Sequence, residues 1–322
     1  MTTEIGVNLA KAKRYLESGE LVGIPTETVY GLAGNAFDEN AVLKIFEVKE
    51  RPEFDPLIVH VPNIEMVMKC VVDIPALAAD LITSFWPGPL TIIFKKKNCI
   101  PDVVTSGLDT VGMRMPSHPL TLELLQELKF PLAAPSANPF GYISPTSAQH
   151  VSDQLGNKIP YILDGGNCSI GLESTIVEIE DKTCVVYRLG GLSLEDLKTV
   201  ASKIELRINS SSNPKAPGML KSHYAPTKNF FIADINDVII KFPNKKIAFL
   251  YFDKRSNQKL HNVEYISLSN NQDLKEAAHS IFGLMRMLDG RNDIDIIVAE
   301  TVPEIGIGRA INDRMRRAVT EL

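Results

Sequence analysis

Up to about residue 206, hydrophobic patterns typical of helices alternate with patterns typical of strands, which indicates an α/β protein. Strand-length apolar runs predict buried strands, and apolar positions three and four residues apart predict helices. Strands are predicted at residues 21–24, 90–95, 110–115 and 131–134, and helices at about 7–18, 75–85 and 120–128. Runs at 173–179 and 183–189 flank Glu180-Asp181-Lys182 and predict an antiparallel hairpin. We therefore expect a mixed sheet.

The composition changes after residue 206. Residues 207–228 are rich in Ser, Asn and Pro, which is typical of a linker. From residue 229 onward the strand, helix, strand pattern returns and predicts a smaller Rossmann-like α/β domain. A Gly306-Ile307-Gly308 sequence precedes the last predicted helix, but without a full phosphate-binding fingerprint it favours a structural turn. We predict a first domain at 1–206, a linker at 207–228 and a second domain at 229–322.

The charge balance argues against a general attraction to anionic surfaces. Among 322 residues, 34 Lys and Arg face 39 Asp and Glu, a formal net charge of -5. We therefore expect neither membrane association nor strong direct binding of nucleic acid, and any anion site should be local. The cysteines lack CxxC spacing and the histidines form no HExxH motif, so neither zinc nor a disulfide framework is predicted. Without a signal-like or spanning apolar run, the expected location is the cytoplasm, with reduced thiols.

The first predicted strand leads into a polar segment. Pro25, Gly31 and Gly34 are expected to break the strand into a loop. That loop would present Thr26, Glu27, Thr28 and Tyr30. Asp38 is a predicted N-cap for the next helix, and Pro52 is expected to stop it. Lys49 and Arg51 therefore leave the helix end together. The apolar face of this helix is predicted to contain Ala41, Val42, Ile45, Phe46 and Val48.

Cationic residues are the strongest candidates for chemistry with phosphates. Taken alone, Lys49 and Arg51 are consistent with a helix C-terminus that favours positive charge. Arg114 and Arg188 lie in apolar strand patterns, where an unpaired charge is costly, so each should meet an anion or a carboxylate. His60 ends the apolar run Leu57-Ile58-Val59, which also predicts a strand, and would lie at a pocket rim, although a lone histidine is more often structural. No arrangement of nucleophile, base and orienting group indicates a serine hydrolase.

Several motifs together resemble a known family. They are Pro-Thr-Glu-Thr-Val-Tyr-Gly-Leu at 25–32, Lys-x-Arg at 49–51, Ser-x-Asn at 136–138, and the runs at 110–119, 173–177, 186–190 and 222–226. In this order they resemble the threonylcarbamoyl-AMP synthase family, whose catalytic unit is the YrdC-like domain. The likeness covers essentially the whole chain, in the family's long form. It implies a twisted mixed-sheet YrdC-like domain, a linker that forms a lid, and a Rossmann-like C-terminal domain.

The resemblance also implies the site residues. For ATP they are Lys49, Arg51, Asp55, Thr110, Arg114, Ala134, Ser136, Asn138, Ser144, Arg188 and Tyr224, with Lys49 and Arg51 as the catalytic cations. For L-threonine they are Thr28, His60, His118 and Ser174. No protein ligands for a metal are implied, and Mg²⁺ is expected to bind with ATP. At Asp55 the family commonly has Asn, and a negative charge beside phosphates would need Mg²⁺ or Lys49 to offset it.

The implied reaction joins L-threonine and bicarbonate as N-carboxythreonine. Its carboxylate then attacks the α-phosphorus of ATP and gives threonylcarbamoyl-AMP and pyrophosphate. A separate transferase would use this product to form N6-threonylcarbamoyladenosine in tRNA. Two other hypotheses stay open: an enzyme using another carbamoyl donor, and an RNA-binding module whose basic patch is Lys49, Arg51 and Arg114.

Overall fold

A computed structural model describes residues 2–52, 54–208, 224–253 and 260–320, and these residues form two sheets flanked by helices. The strands of the first sheet are β1 (Glu4–Gly6), β2 (Val22–Ile24), β3 (Gly31–Asn35), β4 (Ile58–His60), β5 (Leu90–Lys95), β6 (Thr110–Arg114), β7 (Leu132–Ala133), β8 (Tyr161–Leu163), β9 (Thr175–Glu180), β10 (Thr183–Arg188) and β11 (Ile204–Leu206). Its helices are α1 (Leu9–Glu17), α2 (Glu39–Lys49), α3 (Ile64–Cys70), α4 (Ala76–Phe85), α5 (Asp102–Thr105), α6 (Pro119–Glu127), α7 (Ala148–Leu155) and α8 (Leu194–Lys198).

The first sheet is mixed, as predicted. Its strand order is β1-β8-β2-β3-β7-β4-β6-β5-β9-β10-β11. Strands β4 and β6 are parallel, β5 is antiparallel to β6, and β9 is parallel to β5. The predicted hairpin is formed by β9 and β10, which pair antiparallel with Thr183 opposite Glu180. As a result, the end of β6, the end of β10 and the start of β9 lie at the same edge of the sheet.

The glycines of the predicted loop lie in a strand instead. Gly31 and Gly34 belong to β3, which pairs antiparallel with β2 and β7, so the prediction that they end the strand was wrong. Close packing explains their presence. A Cβ at Gly34 would lie 2.9 Å from Leu21 Cδ2, and one at Gly31 would lie 3.2 Å from the Ala134 Cβ. The loop is therefore confined to the residues between Ile24 and Gly31.

Helix α2 ends where the sequence predicted. The Asp38 side chain accepts a hydrogen bond from the Asn40 amide at 3.0 Å and caps its N-terminus. The predicted apolar positions Ala41, Val42, Ile45 and Phe46 are buried, and Val48 packs against the same core. Glu50 adopts a left-handed conformation with a φ of 54°, which ends the helix at Lys49. Lys49 and Arg51 consequently turn inward and are buried.

The second sheet is parallel and Rossmann-like, as predicted. Its strands are β12 (Asn229–Ile232), β13 (Ile247–Tyr251), β14 (Val263–Ser267) and β15 (Ile296–Ala299), in the order β12-β15-β13-β14. Its helices are α9 (Ile235–Lys241), α10 (Leu274–Asp289) and α11 (Gly308–Ala318). A Cβ at Gly308 would lie 2.1 Å from the Pro303 carbonyl oxygen, so this glycine allows a close backbone approach, in agreement with a structural turn.

The two sheets share an apolar interface. Val29, Ile143 and Leu172 from the first region belong to the same core cluster as Phe282 of α10. At Gly171, where φ is +81°, an added Cβ would lie 2.6 Å from the Ala278 carbonyl oxygen, so the chain passes directly against α10.

Most of the predicted linker, residues 209–223, lies outside the described residues. Within the described ranges, none of the helices combines the length and apolar character needed to cross a membrane. The cysteines are free.

Candidate functional site

A buried cavity lies against the first sheet, between the β2–β3 loop, β4, β6, the loop after β7 and the segment before β9. Of the predicted site residues, it is lined by Thr28, Arg51, His60, Arg114, Ala134, Ser136, Ser174, Arg188 and Tyr224. Glu173 also lines it. The cavity therefore brings together guanidinium groups, hydroxyls and an imidazole from distant parts of the sequence, which suits an anionic ligand that carries additional polar groups.

Arg114, at the end of β6, is held by the β2–β3 loop. Its Nη2 forms an ion pair with Glu27 Oε1 at 2.6 Å, and its Nη1 donates to Thr28 Oγ1 at 2.9 Å. The second Glu27 oxygen accepts a hydrogen bond from the Ser117 amide at 3.1 Å. Because both charged side chains are buried, this pairing supplies the carboxylate that the sequence predicted for Arg114. It also fixes the Thr28 hydroxyl in the cavity wall.

Arg188, at the end of β10, is directed at the segment before β9. Its Nε donates to the Ser174 carbonyl oxygen at 3.0 Å, and its Nη2 donates to Ser174 Oγ at 3.1 Å. Ser174 Oγ also lies 2.8 Å from Thr91 Oγ1. Burial lowers the pKa of Arg188, and nearby Arg314 and Arg114 add to that effect while Tyr224 and Glu173 oppose it. An anionic ligand in the cavity would relieve this excess of positive charge.

His60 faces the cavity as a neutral ring. In the pairing of β4 with β6 it lies opposite Arg114. Burial and the neighbouring Arg114 charge lower the pKa of His60 to about 3. The imidazole is therefore uncharged at neutral pH, and one ring nitrogen can accept a hydrogen bond from a ligand.

Lys49 holds the loop that contains Ser136 and Asn138. Its Nζ donates to the carbonyl oxygens of both residues, and only 1% of the side chain is exposed. The same loop is attached to β3 by an isolated bridge between Gly31 and Ser136. Burial lowers the pKa of Lys49 well below its usual value, and Arg51 adds to the effect. Lys49 lies behind the cavity wall and does not line it.

Arg51 is paired with Asp55. Its Nη2 lies 2.8 Å from Asp55 Oδ2, and its Nε and Nη2 donate to the carbonyl oxygens of Asp55 and Pro56 at 3.1 and 3.0 Å. The expected compensation of Asp55 by Lys49 or Mg²⁺ thus comes chiefly from Arg51, which makes the direct contact. Burial raises the pKa of Asp55 above its usual value, and the charges of Arg51 and Lys49 offset only part of this increase. Asp55 is fully buried beneath Arg51 and does not line the cavity.

The remaining predicted residues also lie outside the lining. Thr110 begins β6 and Arg114 ends it, so at about 3.3 Å per residue they are about 13 Å apart and not at the same end. His118 precedes α6, with its Nε2 3.3 Å from the Gly165 carbonyl oxygen. Asn138 donates to the carbonyl oxygens of Pro139 and Tyr142 at 2.8 and 2.9 Å. Ser144 donates to Glu173, which lines the cavity.

Tyr224, which belongs to the predicted linker, lines the cavity. It is 1% exposed and has a φ of 67°. Its ring stacks on Phe282 of α10 with centroids 5.8 Å apart, and the Arg314 guanidinium carbon lies 4.9 Å from the ring centroid. Ser222 and His223 of the same predicted motif lie outside the described residues.

Sequence reasoning missed three charged residues. Glu27 is a polar residue of the predicted loop but had no predicted role, and Glu173 belongs to a motif that implies a role only for its neighbour Ser174. No sequence feature indicated a role for Arg314, because α11 has the composition of a charged surface helix. In the structure Arg314 is 1% exposed and its Nε donates to Glu173 Oε2 at 2.7 Å. Only the contact between the two domains identifies it.

The geometry also bears on metals and RNA. The described residues contain no group of three or more His, Cys, Asp or Glu that could hold a metal ion. Glu27, Asp55 and Glu173 are each paired with an arginine. Lys49, Arg51 and Arg114 are 1%, 7% and 4% exposed, so they cannot form the surface patch that the RNA-binding hypothesis requires. That hypothesis is wrong for these residues.

Fold and cavity together define an α/β protein with a pocket lined by buried arginines and hydroxyls. Residues 14–190 match the family model described as "Telomere recombination", and residues 192–320 match "Threonylcarbamoyl-AMP synthase, C-terminal domain". The chain therefore belongs to the threonylcarbamoyl-AMP synthase family, in its two-domain form.

Individual relatives are similar along the full length. Threonylcarbamoyl-AMP synthase of Pyrococcus abyssi is 39% identical, with 95% of this chain and 92% of the relative covered. The protein of that name from Bacillus subtilis is 37% identical, with 99% and 95% covered. The crystal structure of P. abyssi Sua5 complexed with L-threonine is 38% identical and matches with a TM-score of 0.91, covering 98% of this chain and 97% of that one.

Proposed function

We propose that this chain is an L-threonylcarbamoyladenylate synthase. It would convert L-threonine, bicarbonate and ATP into threonylcarbamoyl-AMP, pyrophosphate and water. The product would pass to a separate transferase for N6-threonylcarbamoyladenosine modification of tRNA. The observation that carries the proposal is the buried network of Arg114, Thr28 and Glu27 beside Ser174, in a chain that matches the family along its full length.

Recognition of L-threonine requires partners for an amine, a carboxylate and a hydroxyl. The Thr28 and Ser174 hydroxyls and the neutral His60 ring offer such partners within one cavity. A neutral imidazole suits this role because threonine must lose an ammonium proton before its nitrogen can bond to the bicarbonate carbon. A charged His60 would instead repel the ammonium. The similar P. abyssi protein was crystallised in complex with L-threonine, which supports the same ligand here.

The adenylation step transfers negative charge to the leaving pyrophosphate. The N-carboxythreonine carboxylate bonds to the α-phosphorus while the bond to the β-phosphate oxygen breaks. Guanidinium groups near that atom would stabilise the developing charge most when already fixed in place. Arg51 and Arg188 are candidates, because both line the cavity and are held by the hydrogen bonds that they donate to backbone carbonyl oxygens. Lys49 would hold the Ser136 loop beside the nucleotide, and its positive charge would also act on the phosphates.

Mg²⁺ would enter with the triphosphate in this proposal. The carboxylates near the cavity are committed to arginines, so phosphate oxygens and water are the expected ligands. We assign no protein ligand and no step to the ion.

The direct test is pyrophosphate release by the purified full chain with Mg²⁺, ATP and bicarbonate. Release should depend on L-threonine, and L-serine is the matched control because it lacks only the methyl group. Mass spectrometry should identify threonylcarbamoyl-AMP. ATP turnover that is indifferent to L-threonine would reject the proposal.

A further inference from the structure

One arginine of the second domain reaches the wall of the cavity. Arg314 of α11 is 1% exposed, although Arg316 in the same helix is exposed and Arg309 is partly exposed. Its Nε donates to Glu173 Oε2 at 2.7 Å, and its Nη2 donates to the Leu189 carbonyl oxygen at 2.8 Å. Both acceptors belong to the first domain. Its Nη1 contacts Asp313 at 2.7 Å.

Glu173 connects Arg314 to the residues of the site. It lines the cavity and directly precedes Ser174. One of its carboxylate oxygens accepts the bond from Arg314, and the other accepts the hydroxyl of Ser144. Its backbone carbonyl oxygen accepts a hydrogen bond from the Gly191 amide at 2.9 Å. Arg314 therefore holds one oxygen of the Glu173 carboxylate, and the other oxygen orients the Ser144 hydroxyl.

The Arg314 guanidinium also contacts the ring of Tyr224, which lines the cavity. The Tyr224 ring lies between Arg314, at 4.9 Å, and Phe282, at a centroid distance of 5.8 Å. Each of these neighbours belongs to the second domain. Loss of Arg314 would remove this cation–π contact from the Tyr224 ring.

The charge state of Glu173 depends on Arg314 as well. Burial would raise the pKa of Glu173, but the charges of Arg314 and Arg188 and the Ser144 hydrogen bond hold it below its usual value. Tyr224 also interacts with this carboxylate, and burial raises the pKa of Tyr224, so it stays neutral. Without Arg314 the protonation of Glu173 should move to higher pH.

We propose that Arg314 is a positioning residue of the active site, which holds the Glu173 carboxylate and the Tyr224 ring in the geometry that substrate binding requires. The second domain is then a structural part of the site. Arg314 acts through Glu173 and Tyr224 without touching substrate. This inference rests on the proposed function for its kinetic readout.

The test compares Arg314→Gln, Arg314→Lys, Glu173→Gln and the Arg314→Gln/Glu173→Gln double variant. We expect Arg314→Gln to lower kcat/KM for ATP at least tenfold at neutral pH and to move the acid limb of the pH profile upward. Raising the pH should restore part of the activity. Arg314→Lys keeps the charge and should restore the wild-type acid limb. The double variant should lose less activity than the two single effects combined, because Arg314 acts in part through that carboxylate.

Arg309→Gln is the matched control. Arg309 also lies in α11 and also pairs across the domains, with Glu195 at 2.7 Å, but both side chains are partly exposed and neither lines the cavity. Its activity should stay within about twofold of wild type, since exposed pairs contribute little. Unfolding midpoints of all variants would separate loss of fold from loss of geometry.

The inference is overturned if folded Arg314→Gln keeps the wild-type pH profile and KM values, or if the Arg314 and Glu173 effects are additive. If wild type shows no threonine-dependent turnover, the proposed function fails instead. In that case ATP binding, measured by calorimetry across pH with the same variants, decides the role of Arg314. Equal ATP affinity in Arg314→Gln and Arg309→Gln would then reject it.

Discussion

Gly190 offers a sharp test of how the backbone shapes the site. It follows β10, and a Cβ added there would lie 2.3 Å from the Glu173 carbonyl oxygen, 2.4 Å from the Ser174 carbonyl carbon and 2.5 Å from the Thr175 amide nitrogen. These are backbone atoms, so no side-chain rotation relieves the clash. Ordinary contact begins near 3.4 Å, which means that Gly190→Ala must displace the segment by about 1 Å.

A displacement of about 1 Å in a substrate-positioning segment can cost about 100-fold in rate. We therefore expect Gly190→Ala to raise the KM for L-threonine and lower kcat/KM by about that factor, because Ser174 moves with Glu173. The assay is initial-rate pyrophosphate release with L-threonine and ATP varied separately. Thermal unfolding would establish that the variant is folded.

Gly283→Ala is the control for the substitution itself. Gly283 lies inside α10, and a Cβ there meets nothing within 4 Å. Alanine at this helical position should stabilise the fold by about 1 kcal/mol and leave the kinetics unchanged. A folded Gly190→Ala enzyme with wild-type constants for L-threonine would refute the argument, since it would show that the Glu173–Thr175 segment can move freely.

Further predictions concern the buried polar groups. Arg51→Ala should abolish turnover and also destabilise the fold by about 3–5 kcal/mol, because Asp55 is left buried and unpaired; Arg51→Ala/Asp55→Asn should recover stability in urea titrations without recovering turnover, and recovered turnover would exclude Arg51 from the chemistry. Thr28→Val should raise the KM for L-threonine more than that for ATP, and equal increases in steady-state kinetics would reject its role. His60 has a folded pKa of about 3, below the unfolded value of about 6.5, so the unfolded state binds more protons as the pH falls through that window. Stability should then fall by up to about 1.4 kcal/mol per pH unit, and His60→Asn should reduce that slope between pH 6 and 5; an unchanged slope would contradict the burial argument.

Periodicity predicts the regular elements well because their apolar faces are long. The strand β5 and the helix α4 are predicted by such runs, and the mixed sheet follows from the β9–β10 hairpin. The three-residue strands β1 and β8 escape prediction, because they depend on parallel pairing with partners distant in sequence. The strand β3 also escapes it, because its glycines have the composition of a turn, whereas tight packing against Leu21 requires them.

The candidate site is predictable only where residues face the cavity from recognisable motifs. Arg114 and Ser174 are examples, and both line the cavity. The resemblance assigns Thr110 to the same site, although an extended strand separates it from Arg114. Arg314 cannot be found from sequence, because its burial depends on how two separately predicted domains meet. Local patterns carry no information about such a contact.

The shared apolar cluster at the domain interface bears on how the chain unfolds. Leu172 and Ile143 pack with Phe282, and the buried Glu173 loses its Arg314 partner when the second domain separates. Separation would therefore expose apolar surface and remove the Arg314 charge from Glu173 at the same moment. The two domains should consequently melt as one cooperative unit and not in sequence. A fragment ending at residue 206 would lack these contacts between the domains, and its sheet should therefore be less stable than in the full chain. Loss of activity in this fragment would not by itself show that residues 207–228 form a lid.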